Sequence, residues 1–229
     1  MVEFLSEINW SPLWISLKTG VAATIFAFFL GVFCARKIMK LKPGARAVLD
    51  GILTLPLVLP PTVAGFFLLY VFGVKRPVGQ FFLEYFSVKI AFSWGATVLA
   101  AVVMSFPLMY RSARGAFEQV DDTLVQAART LGMGEWTIFR KVLLANAVPG
   151  VVSGGVLAFA RGLGEFGATA MIAGNIAGKT RTLPMAVYSE VAAGNMEAAY
   201  SYVAIIVVIA FLSVFLMNGV MWYSQKKSR

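Results

Sequence analysis

The chain has 229 residues, of which 59% are hydrophobic and only 14% charged, whereas soluble domains carry roughly 25% charged residues, so the composition predicts a membrane protein. The absence of histidine and the single cysteine, Cys34, exclude a histidine-based catalytic base, an internal disulfide framework and any multi-cysteine metal site. The formal net charge of +9 is compatible with three kinds of partner: nucleic acid, an anionic membrane face or an anionic solute. The positions of the charges must decide among them.

Five stretches between charged residues are long enough to be transmembrane helices, since about 20 apolar residues cross a hydrocarbon core of roughly 30 Å. The fourth is interrupted only by Arg161 and Glu165. The N-terminal residues include Glu3 and Glu7 and lack a basic segment, which argues against a cleaved signal peptide. In chain order, the predicted spans cover residues 14–35, 51–74, 90–110, 142 to about 172, and 198–225.

The basic residues predict the orientation of these spans. Thirteen of the twenty Lys and Arg residues lie in residues 36–46, in residues 111–141 and in the tail after residue 225, and all fall on one side if five spans alternate. Because basic residues are retained on the cytoplasmic side of short loops, we expect the N-terminus outside and the C-terminus inside. Topology alone therefore accounts for most of the positive charge, and nucleic acid is not an expected partner.

Residues 182–193 are moderately apolar, but a full crossing there would place the basic tail outside. We therefore expect a short re-entrant or surface helix on the outer side, between the fourth and fifth spans. No segment has the composition of a separate soluble domain. The sequence thus predicts an all-α membrane protein, with residues 1–229 as one transmembrane domain and residues 111–147 as a cytoplasmic loop within it.

The cytoplasmic loop between the third and fourth spans contains a helix, a glycine break and a second helix. Asp121 and Asp122 are N-cap candidates, and apolar residues then recur at helical spacing until Gly132. A second short helix begins after Gly134 and places Trp136 and other apolar residues on one face. Such a unit either lies on the membrane interface or docks into a groove of a cytosolic partner. Physical reasoning alone does not choose between these interpretations.

The spacing of this loop resembles the EAA motif of ABC importer permeases, which reads Glu-Ala-Ala, three residues, Gly, nine residues, then Ile-x-Leu-Pro. The sequence departs from it at Gln126, Val142 and Ala145, where the motif has Glu, Ile and Pro. The resemblance implies that residues 125–139 contact a separate ATPase subunit. Within this segment it assigns the coupling role to Val125, Gln126, Ala127, Ala128, Arg129, Leu131, Gly132, Met133, Gly134, Trp136 and Phe139.

Further segments resemble the molybdate permease branch of that family, namely residues 55–65, 92–94, 104–109, 159–169, 175–176 and 180–184. The resemblance implies a type I ABC importer permease fold and uptake of an oxyanion, with molybdate first and tungstate or sulfate as alternatives. It also implies a homodimer, two copies of an ATPase that hold ATP and Mg²⁺, an extracytoplasmic molybdate-binding protein and a bacterial-type cell membrane. This chain itself is expected to bind no cofactor or metal.

Three prolines within the second span remove backbone donors and kink the helix. The kink is either a static packing feature or part of a translocation path. Arg161 and Glu165, four residues apart, are expected to pair on one helix face, as a structural staple or as a gate. The residues expected at the path or gate are Pro56, Pro60, Pro61, Thr62, Gly65, Ser105, Arg161, Glu165 and Thr169.

No ring of fixed cations marks an anion path inside the membrane, so specificity is better assigned to an external binding protein. Lys179 and Arg181 lie on the outer side and are expected either to contact that protein or the anion, or to be ordinary solvated charges.

The sequence lacks a Gly-x-x-x-x-Gly-Lys-Ser/Thr motif and any catalytic constellation, which argues against an ATPase or another membrane enzyme. An ATP-independent secondary transporter remains the weaker alternative.

Overall fold

A computed structural model of the chain describes residues 9–227; Glu3, Glu7 and Arg229, which entered the charge argument, lie outside that range. Within it, all regular structure is helical. The helices are α1 Ser11–Met39, α2 Pro43–Val58, α3 Pro61–Phe72, α4 Pro77–Phe86, α5 Trp94–Glu118, α6 Asp122–Thr130, α7 Glu135–Ile138, a π-turn Phe139–Leu143, α8 Leu144–Leu163, α9 Gly167–Ile172, α10 Leu183–Ala192 and α11 Met196–Lys227.

Four helical units are long and apolar enough to cross a membrane, and a bent pair of helices makes a fifth candidate. The four units are α1, α5, residues 135–163 and residues 196–219. The bent pair is α2 with α3, which meet at 109°. The kink predicted in the span at residues 51–74 is present, but the helical structure starts earlier, at Pro43, and is broken at Leu59 and Pro60 into two helices. Pro60 and Pro61 have no backbone N–H to donate, and a residue that precedes proline avoids the helical conformation.

Helices α1 and α5 run parallel, which confirms that the chain crosses back between them. Near their N-terminal ends, the Thr19 and Thr97 hydroxyls are 3.0 Å apart and the Trp94 indole donates to Thr19 at 3.1 Å. Near their C-terminal ends, Ile38 and Phe117 share one buried cluster. Since both helices start at the same end, the intervening residues 43–93 return to it, as the alternation of charges predicted.

The fourth predicted span is correct in place but wrong at its end. Helix α8 stops at Leu163, and α9 starts at Gly167 after a turn, so the helix does not continue to residue 172. The Glu165 carboxylate accepts a hydrogen bond from the backbone N–H of Ala168 at 2.8 Å. This bond satisfies a donor at the start of α9 and stabilises the break.

The outer helix α10 is short, as predicted. Its 10 residues are about 15 Å long, roughly half the hydrocarbon thickness. The Leu183 backbone N–H donates to Ser16 at 2.7 Å, and the Tyr202 hydroxyl donates to the Asn9 carbonyl at 3.0 Å. The N-terminal ends of α1, α10 and α11 therefore lie together, at the end opposite the cytoplasmic loop.

Candidate coupling loop and translocation path

The cytoplasmic loop has the helix, glycine break and helix that its spacing predicts. The Thr123 backbone N–H donates to the Asp121 carboxylate at 2.8 Å, which starts α6 and lowers the pKa of Asp121. Gly132, just after the end of α6, has a left-handed φ of 73°, which glycine adopts without the usual steric cost and which stops the first helix. The second helix, α7, continues through the π-turn into α8, so the loop is joined rigidly to the fourth span.

Glu135 fastens the loop to the end of α1. Its carboxylate accepts from Lys40 Nζ at 3.2 Å and from Arg129 Nε at 2.8 Å. The Arg36 guanidinium lies 4.2 Å from the ring centroid of Phe139 and 5.0 Å from that of Trp136. Exposed ion pairs are individually weak, but this set joins α1, α6 and α7. The EAA spacing does not include Glu135, so sequence reasoning missed this anchor.

The loop exposes apolar side chains at the charged end of the molecule. Leu131 is 80% exposed and Trp136 is 58% exposed. Of the other residues expected to contact an ATPase, Ala128 and Phe139 are buried and support the loop from inside. Val125 and Met133 are half-buried, and the remaining ones, Gln126, Ala127, Arg129, Gly132 and Gly134, are exposed.

A cavity of about 860 Å³ separates part of the loop from α8 and α11. Asp121 and Leu124 line it from the loop, Asn146 from α8, and Met217 from α11. The loop is therefore held through Glu135 and the π-turn, with open space behind the start of α6.

A cluster of charged residues ties α2 to α5. No residue of α2 is buried. The buried Tyr110 hydroxyl donates to Asp50 Oδ1 at 2.8 Å, and Arg114 forms ion pairs with both Asp50 and Glu118, the latter at 2.9 Å. Arg46 of α2 also pairs with Glu118. Because Glu118 is the last residue of α5, this cluster links the bent helix pair to the start of the cytoplasmic loop.

The two helix breaks pack against each other. A Cβ atom placed on Gly65 of α3 would lie 2.6 Å from the Cα of Ala168, and one placed on Gly167 would lie 2.9 Å from the Cβ of Pro61. The bend between α2 and α3 therefore packs directly on the break between α8 and α9, and only glycine allows this approach. Of the neighbouring candidates, Pro60, Pro61 and Thr62 are exposed, while Pro56 is half-buried.

Arg161 and Glu165 form the predicted ion pair, with Arg161 Nη1 and Glu165 Oε2 2.7 Å apart. The geometry is that of an ion contact and not of a directed hydrogen bond, because Oε2 has no hydrogen-bond partner within residues 9–227. The pair does not lie on one helix face as expected, since α8 ends between the two residues. The Glu165 side chain is 1% exposed and that of Arg161 is 28% exposed, so the cation reaches the surface and the carboxylate does not.

Two further candidates lie in the protein interior. Ser105 is fully buried, and its hydroxyl donates to the Ala101 carbonyl of its own helix at 2.7 Å. Thr169 is 1% exposed. In this conformation neither side chain faces open space.

The outer candidates differ from each other. Lys179 is exposed, whereas Arg181 is half-buried and donates to the Asn175 side chain at 2.9 Å. Asn175 in turn donates to Ser189 of α10 at 2.6 Å. Arg181 therefore fastens the outer turn to α10, and Lys179 is the freer of the two cations.

Comparisons with known proteins agree with this architecture. A family model described as the binding-protein-dependent transport system inner membrane component matches residues 27–229. The molybdenum transport system permease protein ModB of Escherichia coli (strain K12) is 41% identical over 98% of both chains. The putative molybdenum transport system permease protein YvgM of Bacillus subtilis (strain 168) is 38% identical over 91% of this chain and 92% of its own. Among solved structures, a chain of the MetNI methionine ABC transporter superposes with a TM-score of 0.74 at 19% identity, over 98% of this chain and 99% of that chain.

Proposed function

The chain belongs to the family of binding-protein-dependent transport system inner membrane components, and on that premise we propose that it is the permease subunit of an ATP-driven importer of molybdate. Its fold is that of type I ABC importer permeases. The observation that supports the transport mechanism is the loop between α5 and α8, which is anchored through Glu135 and exposes Leu131 and Trp136.

In this proposal, two copies of the chain pair around a central path, and two copies of a separate ATPase dock on residues 125–139. The ATPase holds ATP and Mg²⁺, and this chain supplies no catalytic group. An exposed leucine in the turn after α6 and an exposed tryptophan on α7 can serve as the anchors of docking into a groove. An extracytoplasmic binding protein delivers the anion to the outer side, which includes Lys179, in the cell membrane of a bacterium.

Closure of the ATPase dimer would draw the two coupling loops together. Helix α7 is continuous with α8 through the π-turn, and the cluster of Asp50, Arg114 and Glu118 joins α2 to the start of the loop, so that movement would reach both helix breaks. The contacts of Gly65 with Ala168 and of Gly167 with Pro61 are where the path would open and close. Alternating access then follows from a rigid-body movement of α8 against α3.

Transport is tested by reconstituting the permease with its ATPase and its binding protein in proteoliposomes. We expect accumulation of labelled molybdate that requires ATP and stops when the ATPase is left out. Accumulation driven by an ion gradient without ATP would show that the chain is a secondary transporter. Competition by unlabelled tungstate and sulfate would rank the three anions, and stronger competition by sulfate than by molybdate would overturn the assigned substrate.

The docking role of the loop is tested by Leu131→Asp. Placing a charge on a side chain that is 80% exposed should leave the permease folded but weaken its association with the ATPase by about tenfold or more, because the charge must be desolvated in an apolar groove. Leu41→Asp is the matched control, since Leu41 is also exposed at the cytoplasmic end and lies outside the loop. Co-purification of the ATPase measures both variants. Equal retention of the ATPase by the two would count against docking at Leu131.

A further inference from the structure

A basic pocket lies at the outer end of α3, away from the helix breaks and from the coupling loop. Its volume is about 460 Å³, and its walls include Phe66, Tyr70 and Phe92 together with Lys75, Arg76 and Lys89. The Phe92 backbone N–H donates to the Ile172 carbonyl at 3.0 Å, so the wall beside α5 is fixed to the end of α9.

The three cations of this pocket have no carboxylate within 4.0 Å among the residues that the structure describes. At the cytoplasmic end the situation is different, because Lys40, Arg46, Arg114 and Arg129 each pair with an acidic side chain. No acidic residue lines the pocket itself.

Aromatic rings lie beside two of the cations. The Arg76 guanidinium lies 4.0 Å from the ring centroid of Tyr70, and Lys89 Nζ lies 5.9 Å from that of Phe92. Stacking on an aromatic face leaves the N–H groups of an arginine available to an anion. Three unpaired cations around an aromatic-walled pocket are therefore arranged to receive a small anion with several acceptor oxygens.

We propose that this pocket binds a tetrahedral oxyanion at the outer face of the membrane. Because all three cations are exposed, the site is weak and exchanges rapidly, as an entry site must if it is to release what it receives. Two ligands have this tetrahedral oxyanion chemistry. One is the transported molybdate, an assignment that rests on the function proposed above, and the other is the phosphate of an anionic lipid headgroup in the outer leaflet.

The test uses the permease–ATPase complex in nanodiscs of phosphatidylcholine, without the binding protein. Equilibrium dialysis against molybdate, read out by elemental analysis, measures the affinity of the wild type and of the Arg76→Gln and Lys89→Gln variants. Lys18→Gln is the control, because it removes one exposed cation from the outer end of α1, outside the pocket. We expect each pocket variant to bind molybdate about tenfold more weakly, the loss of one charge-assisted hydrogen bond, and the control to bind like the wild type.

A second arm identifies the source of the anion. Mass spectrometry of complexes from mixed phosphatidylcholine and phosphatidylglycerol measures retained anionic lipid. Loss of phosphatidylglycerol from the pocket variants, with no molybdate binding by the wild type, assigns the pocket to lipid headgroups. Identical behaviour of the pocket variants and the control in both arms overturns the proposal. ATP-dependent molybdate uptake by the same wild-type preparation, with its binding protein added, tests the proposed function separately.

Discussion

Among the residues whose burial the structure describes, Glu165 is the one charged residue that is almost completely buried. Its two carboxylate oxygens have different partners: one accepts a hydrogen bond from the Ala168 backbone N–H, and the other forms the ion pair with Arg161. In Glu165→Gln the amide oxygen can still accept from Ala168, but Arg161 loses its counter-charge beside a buried amide. We expect this single change to destabilise the purified permease. Removing one partner of a buried ion pair lowers the free energy of unfolding by roughly 3 kcal/mol.

The double variant Arg161→Gln/Glu165→Gln removes both charges and should be more stable than Glu165→Gln alone. Thermal unfolding in detergent and molybdate uptake measure the two variants side by side. If both variants lose the same amount of thermal stability and of molybdate uptake, the two residues do not act as a pair.

Gly65 allows α3 to lie against the break between α8 and α9. In Gly65→Ala the new methyl group would fall 2.6 Å from the Cα of Ala168 and 2.8 Å from its carbonyl oxygen, so the backbones must move apart. We expect a clear loss of folded protein in the membrane, measured by fluorescence-detected size exclusion. Gly51→Ala in α2 is the control: nothing lies within 4 Å of its Cβ, and alanine favours the helix by up to about 1 kcal/mol. Similar loss in both variants would point to a general sensitivity of these helices to alanine.

At the scale of elements, α2 has no fully buried residue, so the Asp50 cluster is one of its main attachments to α5, beside the contact of Leu53 with the buried core. Arg114→Gln removes the cation that joins Asp50 and Glu118. We expect faster hydrogen exchange of α2 amides in this variant, with little change in α8. Lys42→Gln, at the exposed start of α2, should leave the exchange unchanged. Exchange that rises equally in α2 and α8 would show a global loss of stability and no specific role for the cluster.

Local signals predict the elements of this protein well. The helix, glycine break and helix of the coupling loop follow from Asp121, the apolar spacing and Gly132, each of which acts within a few residues. The Asp50 cluster could not be predicted, because Tyr110 and Arg114 lie 60 and 64 residues away from Asp50 and meet it only after α2 and α5 pack. Likewise, the prolines predict a kink in the second span, but neither its 109° angle nor the close approach of Gly65 to Ala168 of α9 can be read from nearby residues.

At the scale of the whole molecule, the bend between α2 and α3 is incompletely covered by this chain. Val58 is 82% exposed, and Pro60 and Pro61 are also exposed. Irregular backbone at membrane depth is stable only where it is buried in protein or faces water, since lipid offers no hydrogen-bond donors or acceptors. The proposed homodimer supplies both conditions if the second copy packs near the bend and the path runs between the two copies.

This arrangement predicts a specific cross-link. With Cys34 replaced by alanine to remove the native thiol, Val58→Cys should place the two new thiols of a dimer near the two-fold axis. A short bismaleimide should then join the two copies in native membranes, which denaturing electrophoresis detects. Phe211→Cys is the control, because Phe211 is 69% exposed on α11, at a helix without a comparable break, and is expected to face lipid. Cross-linking at Phe211 and none at Val58 would show that the dimer interface is formed by α11. The exposed bend would then face only the water-filled path.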